Sequence, residues 1–198
     1  MPGLCGFKRH TYDGLMRTSR STGTSFPLVF KLALALASVV AYSVTAQFAE
    51  SVEAIESFPD TGGWFHYVVG AIFGALVLAP YLGAKQQVLR CILLCVASAA
   101  IYRLAVWFVT DGPIGYNAFT SFVLAGSGAA LLTGLAIVAF APRAFGARLV
   151  AATLVAGAIG GAAFDLKFVV DQYLLAGHAA WQLLVCLGLH FGFRTTPT

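Results

Sequence analysis

Apolar residues occur along this chain in long runs, and short polar segments separate them. The runs cover about residues 28–49, 64–84, 91–110, 116–141, 148–164 and 168–193. A run of roughly 17–25 apolar residues has the length of a helix that crosses a bilayer. The pattern therefore predicts an all-α, polytopic transmembrane helix bundle of about six spans. Residues 1–27 are predicted to form a flexible, basic cytoplasmic tail, and residues 194–198 a second short tail.

The first run, from Leu28 to Ala49, has two interpretations. Val44-Thr45-Ala46 resembles a signal-peptide cleavage site. The basic segment before the run is too long for a signal peptide, however, and the run has the length of a full span. A retained membrane anchor is therefore favoured.

The hairpin between the fifth and sixth runs also allows two versions. In the first, the chain turns tightly at Asp165-Leu166-Lys167, and a long last helix begins at Phe168. In the second, the fifth span continues to Val170 and a short last span begins at His178. The second version leaves only about sixteen residues for the crossing, slightly fewer than a usual span.

The distribution of charge predicts the orientation of the bundle. Cytoplasmic loops of membrane proteins carry an excess of Lys and Arg. With the N-terminus inside, ten of the twelve Lys and Arg residues fall on the cytoplasmic side, and Arg103 and Lys167 are the two exceptions. Both termini are therefore predicted to be cytoplasmic, and the basic loops suit a bacterial inner membrane.

Composition supports the membrane prediction, since 59% of residues are hydrophobic and 10% are charged, against about 25% charged in soluble domains. The net charge of +4 follows the topology and forms no patch, so nucleic acid is not expected as a partner. The four cysteines, which are expected to be reduced, are Cys5, Cys91, Cys95 and Cys186. The pairs Gly70/Gly74 and Gly157/Gly161 allow close helix contact within the bundle, or alternatively in a homo-oligomer.

Polar residues inside the predicted spans are the candidates for a site, because an ionisable group in hydrocarbon needs a partner or a function. Arg103 lies about 12 Å inside the outer boundary of its span, where Tyr102 and Trp107 are expected to form an interfacial belt. In the tight-turn version, four polar residues of the last helix fall within about 60° of one another. These residues are Lys167, Asp171, His178 and Gln182. An ion pair between Arg103 and Asp171 is predicted, either as part of a binding or proton-transfer site or as a buried structural pair.

The stretch from Gly177 to Leu184, GHAAWQLL, resembles the last-helix motif of the alkaline-ceramidase-like membrane hydrolases. Those proteins carry His-x-x-Trp-His at the start of the final span, and the histidines bind zinc. The resemblance implies that His178 is a zinc ligand and that His66 matches a third histidine on an earlier helix. It also implies that Asp165 or Asp171 matches an upstream aspartate. Gln182 stands in place of the second motif histidine, and a neutral amide is a poor zinc ligand.

The favoured function is a lipid- or small-ligand-binding or scaffolding bundle with a polar cluster in its outer half. No complete catalytic constellation is evident, so no cofactor is predicted, and membrane lipids are the expected partners. The alternative is a zinc-dependent, ceramidase-like lipid hydrolase or a degenerate form of one. A small transporter is the second alternative, since Pro80 and Gly160-Gly161 could interrupt two spans.

Overall fold

The computed structural model describes residues 26–53, 64–82, 88–112, 117–140, 146–165 and 174–193. These residues form six helices and no strand, which confirms the all-α prediction for the described part of the chain. The helices are α1 (Leu28–Glu53), α2 (Trp64–Phe73), α3 (Val88–Thr110), α4 (Ala118–Phe140), α5 (Ala147–Asp165) and α6 (Leu174–Gly192). Five of the helical segments are long and apolar enough to cross a membrane. One of these five consists of α2 together with the helical turns that follow it.

Large apolar side chains cover much of the outer surface of the bundle. Val29, Val40, Val88 and Val96 are examples, and each is more than 60% exposed. An aqueous surface would not tolerate such a continuous apolar covering, whereas lipid chains solvate it at no cost. The fold is therefore that of a helical membrane protein.

The second half of the predicted 64–84 span is not a regular α-helix. A π-helical turn over Gly74–Leu78 and a 3-10 turn over Ala79–Tyr81 follow α2. Pro80 lies in the 3-10 turn, where it has no N–H to donate and its ring would clash with the carbonyl four residues earlier. The backbone changes its hydrogen-bonding pattern there, and the Leu82 amide donates to the Ala79 carbonyl at 2.9 Å.

The six helices form a closed ring in chain order, because each packs on the next and α6 packs on α1. Trp181 of α6 reaches across the ring, where its indole Nε1 donates to the Gly126 carbonyl of α4 at 3.3 Å. Its ring also lies 5.5 Å from the Phe73 ring of α2. Buried apolar side chains from all six helices therefore meet in the interior.

The closest helix contacts are between α4 and α5. A Cβ on Gly157 would lie 2.4 Å from the Gly126 carbonyl oxygen, and one on Gly161 would lie 2.2 Å from the Phe122 carbonyl oxygen. The pair Gly70/Gly74 likewise lies against the α3 backbone. Both glycine pairs therefore pack against a neighbouring helix of the same chain.

A second set of contacts joins α1, α6 and the turns after α2. These contacts lie at the end of the bundle opposite the candidate site described below. The Lys31 ammonium lies 4.1 Å from the centre of the Tyr81 ring, and the Tyr81 hydroxyl donates to the Cys186 carbonyl at 3.2 Å. Lys31 is only 7% exposed. The cation–π contact gives this buried charge a favourable neighbour, and Tyr81 connects α1 to α6.

Several predicted features fall outside the described residues. These are the two tails with Cys5, the interhelical loops, and the residues between α5 and α6 that include Lys167 and Asp171. The helix α5 ends at Asp165 and α6 begins at Leu174. The predicted ion pair between Arg103 and Asp171 therefore stays a prediction.

Candidate functional site

His178 lies in the second turn of α6 and is surrounded by aromatic side chains. Its ring stacks on Tyr42 of α1 with centroids 4.0 Å apart, and it meets the edge of Phe164 of α5 at 4.9 Å. The Tyr102 hydroxyl of α3 hydrogen-bonds with Nε2 of the imidazole. Three different helices thus hold this histidine, which is only 7% exposed.

A close approach of α2 to α3 helps to position Tyr102. A Cβ on Gly70 would lie 2.6 Å from the Ala99 Cα and 2.8 Å from the Tyr102 Cβ. Any larger residue at position 70 would therefore push α3 away. Such a displacement would carry the Tyr102 hydroxyl away from His178.

His178 lines a cavity of about 250 Å³. The cavity lies between the C-terminal halves of α1, α3 and α5 and the N-terminal halves of α2, α4 and α6. All six helices contribute to its wall, which consists of Tyr42, Phe65, His66, Tyr102, Ala105, Val106, Val109, Thr110, Phe122, Ala125, Gly126, Ala129, Phe164, His178 and Trp181.

The chemistry of this wall is aromatic and apolar, with a few polar atoms from tyrosine, histidine and threonine. No charged side chain is among the described residues that line it. Thr110, at the end of α3, is exposed, so the cavity reaches the molecular surface near that helix end. The site therefore suits an apolar group that enters from outside the bundle.

The structure brings the two histidines singled out by the sequence to the same cavity. The Tyr102 ring is 6.1 Å from the His66 ring and 5.8 Å from the His178 ring. The side chain of Asp165 lies outside the described part of the structure, as does all of Asp171. Within the described residues, no group of three His, Cys, Asp or Glu side chains is placed to hold a metal ion.

Arg103 follows Tyr102 on α3 and is half-buried. No carboxylate of the described residues forms an ion pair with Arg103. Its partner, if it is the predicted Asp171, belongs to the segment between α5 and α6.

Gln182 lies one helical turn beyond His178 but is not part of the cavity wall. It is 1% exposed, and neither its Nε2 nor its Oε1 has a hydrogen-bond partner in the described part of the chain. The two described residues of the predicted polar stripe, His178 and Gln182, therefore lie in different surroundings. His178 reaches the cavity, and Gln182 is enclosed behind it.

The role expected for Tyr102 is wrong. The sequence suggested an interfacial belt of Tyr102 and Trp107, but only Trp107 faces outward, with 46% exposure. Tyr102 points inward because it lies four and eight residues after Ser98 and Leu94, both of which are buried. That spacing is the signal in the sequence that indicates an inward-facing Tyr102. Neither Tyr42 nor Phe164 was recognised from the sequence as a residue of the site.

The fold and the site define a class of protein, a helical membrane bundle with an aromatic internal cavity. No family model matches the chain, and no match was found among curated proteins or solved structures.

Proposed function

We propose that this protein is a six-span membrane protein, with both termini in the cytoplasm of a bacterial cell, that binds a small apolar molecule or part of a lipid. The observation that carries the proposal is the aromatic cavity around His178, to which all six helices contribute. The cavity would face the outer half of the bilayer, because it lies at the end of the bundle opposite the basic loops.

The size and the lining of the cavity support this class of ligand. About 250 Å³ lies between the ~150 Å³ that holds benzene and the roughly 300–1,000 Å³ of pockets for drug-sized ligands. The space fits one ring or a short chain segment, such as the end of an acyl chain. An apolar wall with a few polar atoms is typical of sites that bind such groups.

Trp181 offers a direct test, because it lines the cavity. Replacing the other two tryptophans, Trp64→Phe and Trp107→Phe, leaves it as the only tryptophan of the chain. In nanodiscs, 1-bromohexane should quench its fluorescence saturably, since bromine quenches only at contact.

Two matched variants give this measurement its specificity. Ala125→Phe fills the cavity and should abolish the saturable quenching, whereas Ala139→Phe on the exposed face of α4 should leave it intact. Quenching that rises linearly with probe concentration and is the same in both variants would contradict a binding site.

A zinc-dependent lipid hydrolase is the second candidate. It is favoured by one observation, that His66 and His178 line the same cavity. His66, His178 and Asp165 or Asp171 would hold the metal, and zinc would supply an activated water for hydrolysis. The Tyr102 hydroxyl, which hydrogen-bonds with Nε2 of His178, would have to yield that nitrogen or serve as a neighbour of the metal.

Metal analysis of the purified protein separates the two candidates. A hydrolase should carry about one zinc per chain, which His66→Ala and His178→Ala should each remove. His190→Ala provides the control, because this histidine lies at the other end of α6. Zinc that is absent from the wild type after loading, or that is retained in the two cavity variants, would contradict the hydrolase.

A further inference from the structure

Two buried polar side chains of the interior make no hydrogen bond with any residue that the structure describes. Among the described residues, the hydroxyl of Ser38 on α1 and both amide atoms of Gln182 on α6 have no hydrogen-bond partner. Both residues are 1% exposed. By contrast, the buried hydroxyls of Thr133 and Thr153 donate to carbonyls of their own helices at 2.8 Å. Buried polar groups in native proteins are almost always hydrogen-bonded, so an orphaned amide calls for an explanation.

Ser38 and Gln182 lie at the same level of the bundle. Tyr42 of α1 stacks on His178 of α6, and further along the same interface Lys31 lies against the Tyr81 ring, whose hydroxyl bonds the Cys186 carbonyl. The two helices are thus antiparallel and in a fixed register. Ser38 precedes Tyr42 by four residues and Gln182 follows His178 by four residues. Each is therefore displaced along its helix by about 6 Å from the Tyr42–His178 pair, in the same direction.

This level lies directly behind the wall of the cavity. His178 and Trp181 both line the cavity, and Gln182 is the next residue of α6. To reach Ser38 and Gln182 from the cavity, a molecule would have to displace the ring of His178, which lies one helical turn before Gln182 and lines the cavity. The hydrogen bonds that binding would supply to Ser38 and Gln182 would offset part of the free energy of this displacement.

We propose that Ser38 and Gln182 form a polar subsite that receives the hydroxyl or amide end of the ligand, while its apolar part fills the cavity. The inference rests on the proposed binding function and specifies the class of ligand. An amide and a hydroxyl both donate and accept hydrogen bonds, so they complement a ligand group that does the same. The group is uncharged, because no charged side chain of the described residues lines the cavity and an unpaired charge would be expensive to bury.

The test compares two probes in the variant described above, in which Trp181 is the only tryptophan. They are 6-bromohexan-1-ol and 1-bromohexane, which differ in the hydroxyl. A second variant that keeps only Trp107, which is exposed on the outer surface, reports how much of each probe enters the bilayer. After this correction, the alcohol should saturate the quenching of Trp181 at a concentration about tenfold lower than the alkane does.

Gln182→Met and Ser38→Ala should each reduce this preference to about twofold or less, because each weakens the binding of the alcohol. Thr133→Val is the matched control, because it also removes a buried hydroxyl but one that is bonded to its own helix. This control should keep the full preference.

Thermal stability provides an independent readout in the absence of any probe. Gln182→Met should leave the melting temperature unchanged or raise it, because methionine fills a similar volume without unpartnered polar atoms. A large drop in melting temperature would show that Gln182 serves packing or internal hydrogen bonding, and would overturn the subsite.

The outcomes separate the two proposals. If alcohol and alkane bind equally and Ala125→Phe blocks both, the cavity binds ligands but the subsite does not exist. If neither probe quenches Trp181 saturably, the binding function fails and the subsite fails with it.

Discussion

At the scale of single residues, His178 is the centre of the candidate site. A histidine that is enclosed by Tyr42, Phe164 and Tyr102 has its ring orientation fixed by stacking and by one hydrogen bond. Polar groups inside membrane proteins are expensive and are associated with function or with helix association. Here the neighbouring cavity favours function, because a purely structural histidine would need no space beside it.

The contribution of the Tyr102–His178 hydrogen bond can be measured. Tyr102→Phe removes the hydroxyl and leaves a buried imidazole nitrogen without this partner. We expect it to lower the free energy of unfolding by about 1 kcal/mol, as measured by denaturation in mixed detergent micelles. Tyr67→Phe, at a side chain that is 50% exposed, should have no measurable effect. Equal stability of both variants and the wild type would argue against the hydrogen bond.

At the scale of helices, close packing of small residues holds the ring together. Lipid chains are as apolar as the helix surfaces, so no hydrophobic driving force brings helices together in a bilayer. Helices associate there through van der Waals contact and hydrogen bonds. Gly126 and Gly157 allow this at the α4–α5 interface, where their backbones touch. The same interface supports the cavity, because Gly126 both lines it and accepts the hydrogen bond from Trp181.

Two glycine substitutions test this packing. Gly157→Ala places a Cβ 2.4 Å from the Gly126 carbonyl oxygen and should lower the free energy of unfolding by about 1–3 kcal/mol. Gly128→Ala is the control, because no atom of the described residues lies within 4 Å of its Cβ position. The control should stabilise the helix slightly, by up to about 1 kcal/mol. Similar effects of the two substitutions on unfolding would rule out the close contact between α4 and α5.

At the scale of the whole molecule, the ring of helices has two chemically different ends. One end holds the cavity and His178, and the other holds Lys31 against the Tyr81 ring. On the positive-inside rule, we propose that the lysine end faces the cytoplasm. A ligand would then reach the cavity from the outer leaflet or from the outer aqueous side.

Reporter fusions test this orientation together with the number of spans. Alkaline phosphatase fused after residue 198 should be inactive, and fused after residue 60 it should be active. Green fluorescent protein at the same positions should give the opposite pattern. Phosphatase activity at both positions would indicate an odd number of spans, and a fully reversed pattern would contradict the proposed orientation.

The sequence by itself determined the class of structure and the chemically unusual positions. Long apolar runs predict helices because a bilayer leaves the backbone no other hydrogen-bond partners, and His66, His178 and Gln182 stood out because they are polar within those runs. Only the tertiary structure decided which faces point inward. Lipid is as apolar as the interior, so a spanning helix has no amphipathic pattern that marks its buried side. That is why Tyr42, Tyr102 and Phe164 were not recognised as neighbours of His178, and why the enclosure of Gln182 behind the cavity became apparent only in the folded ring.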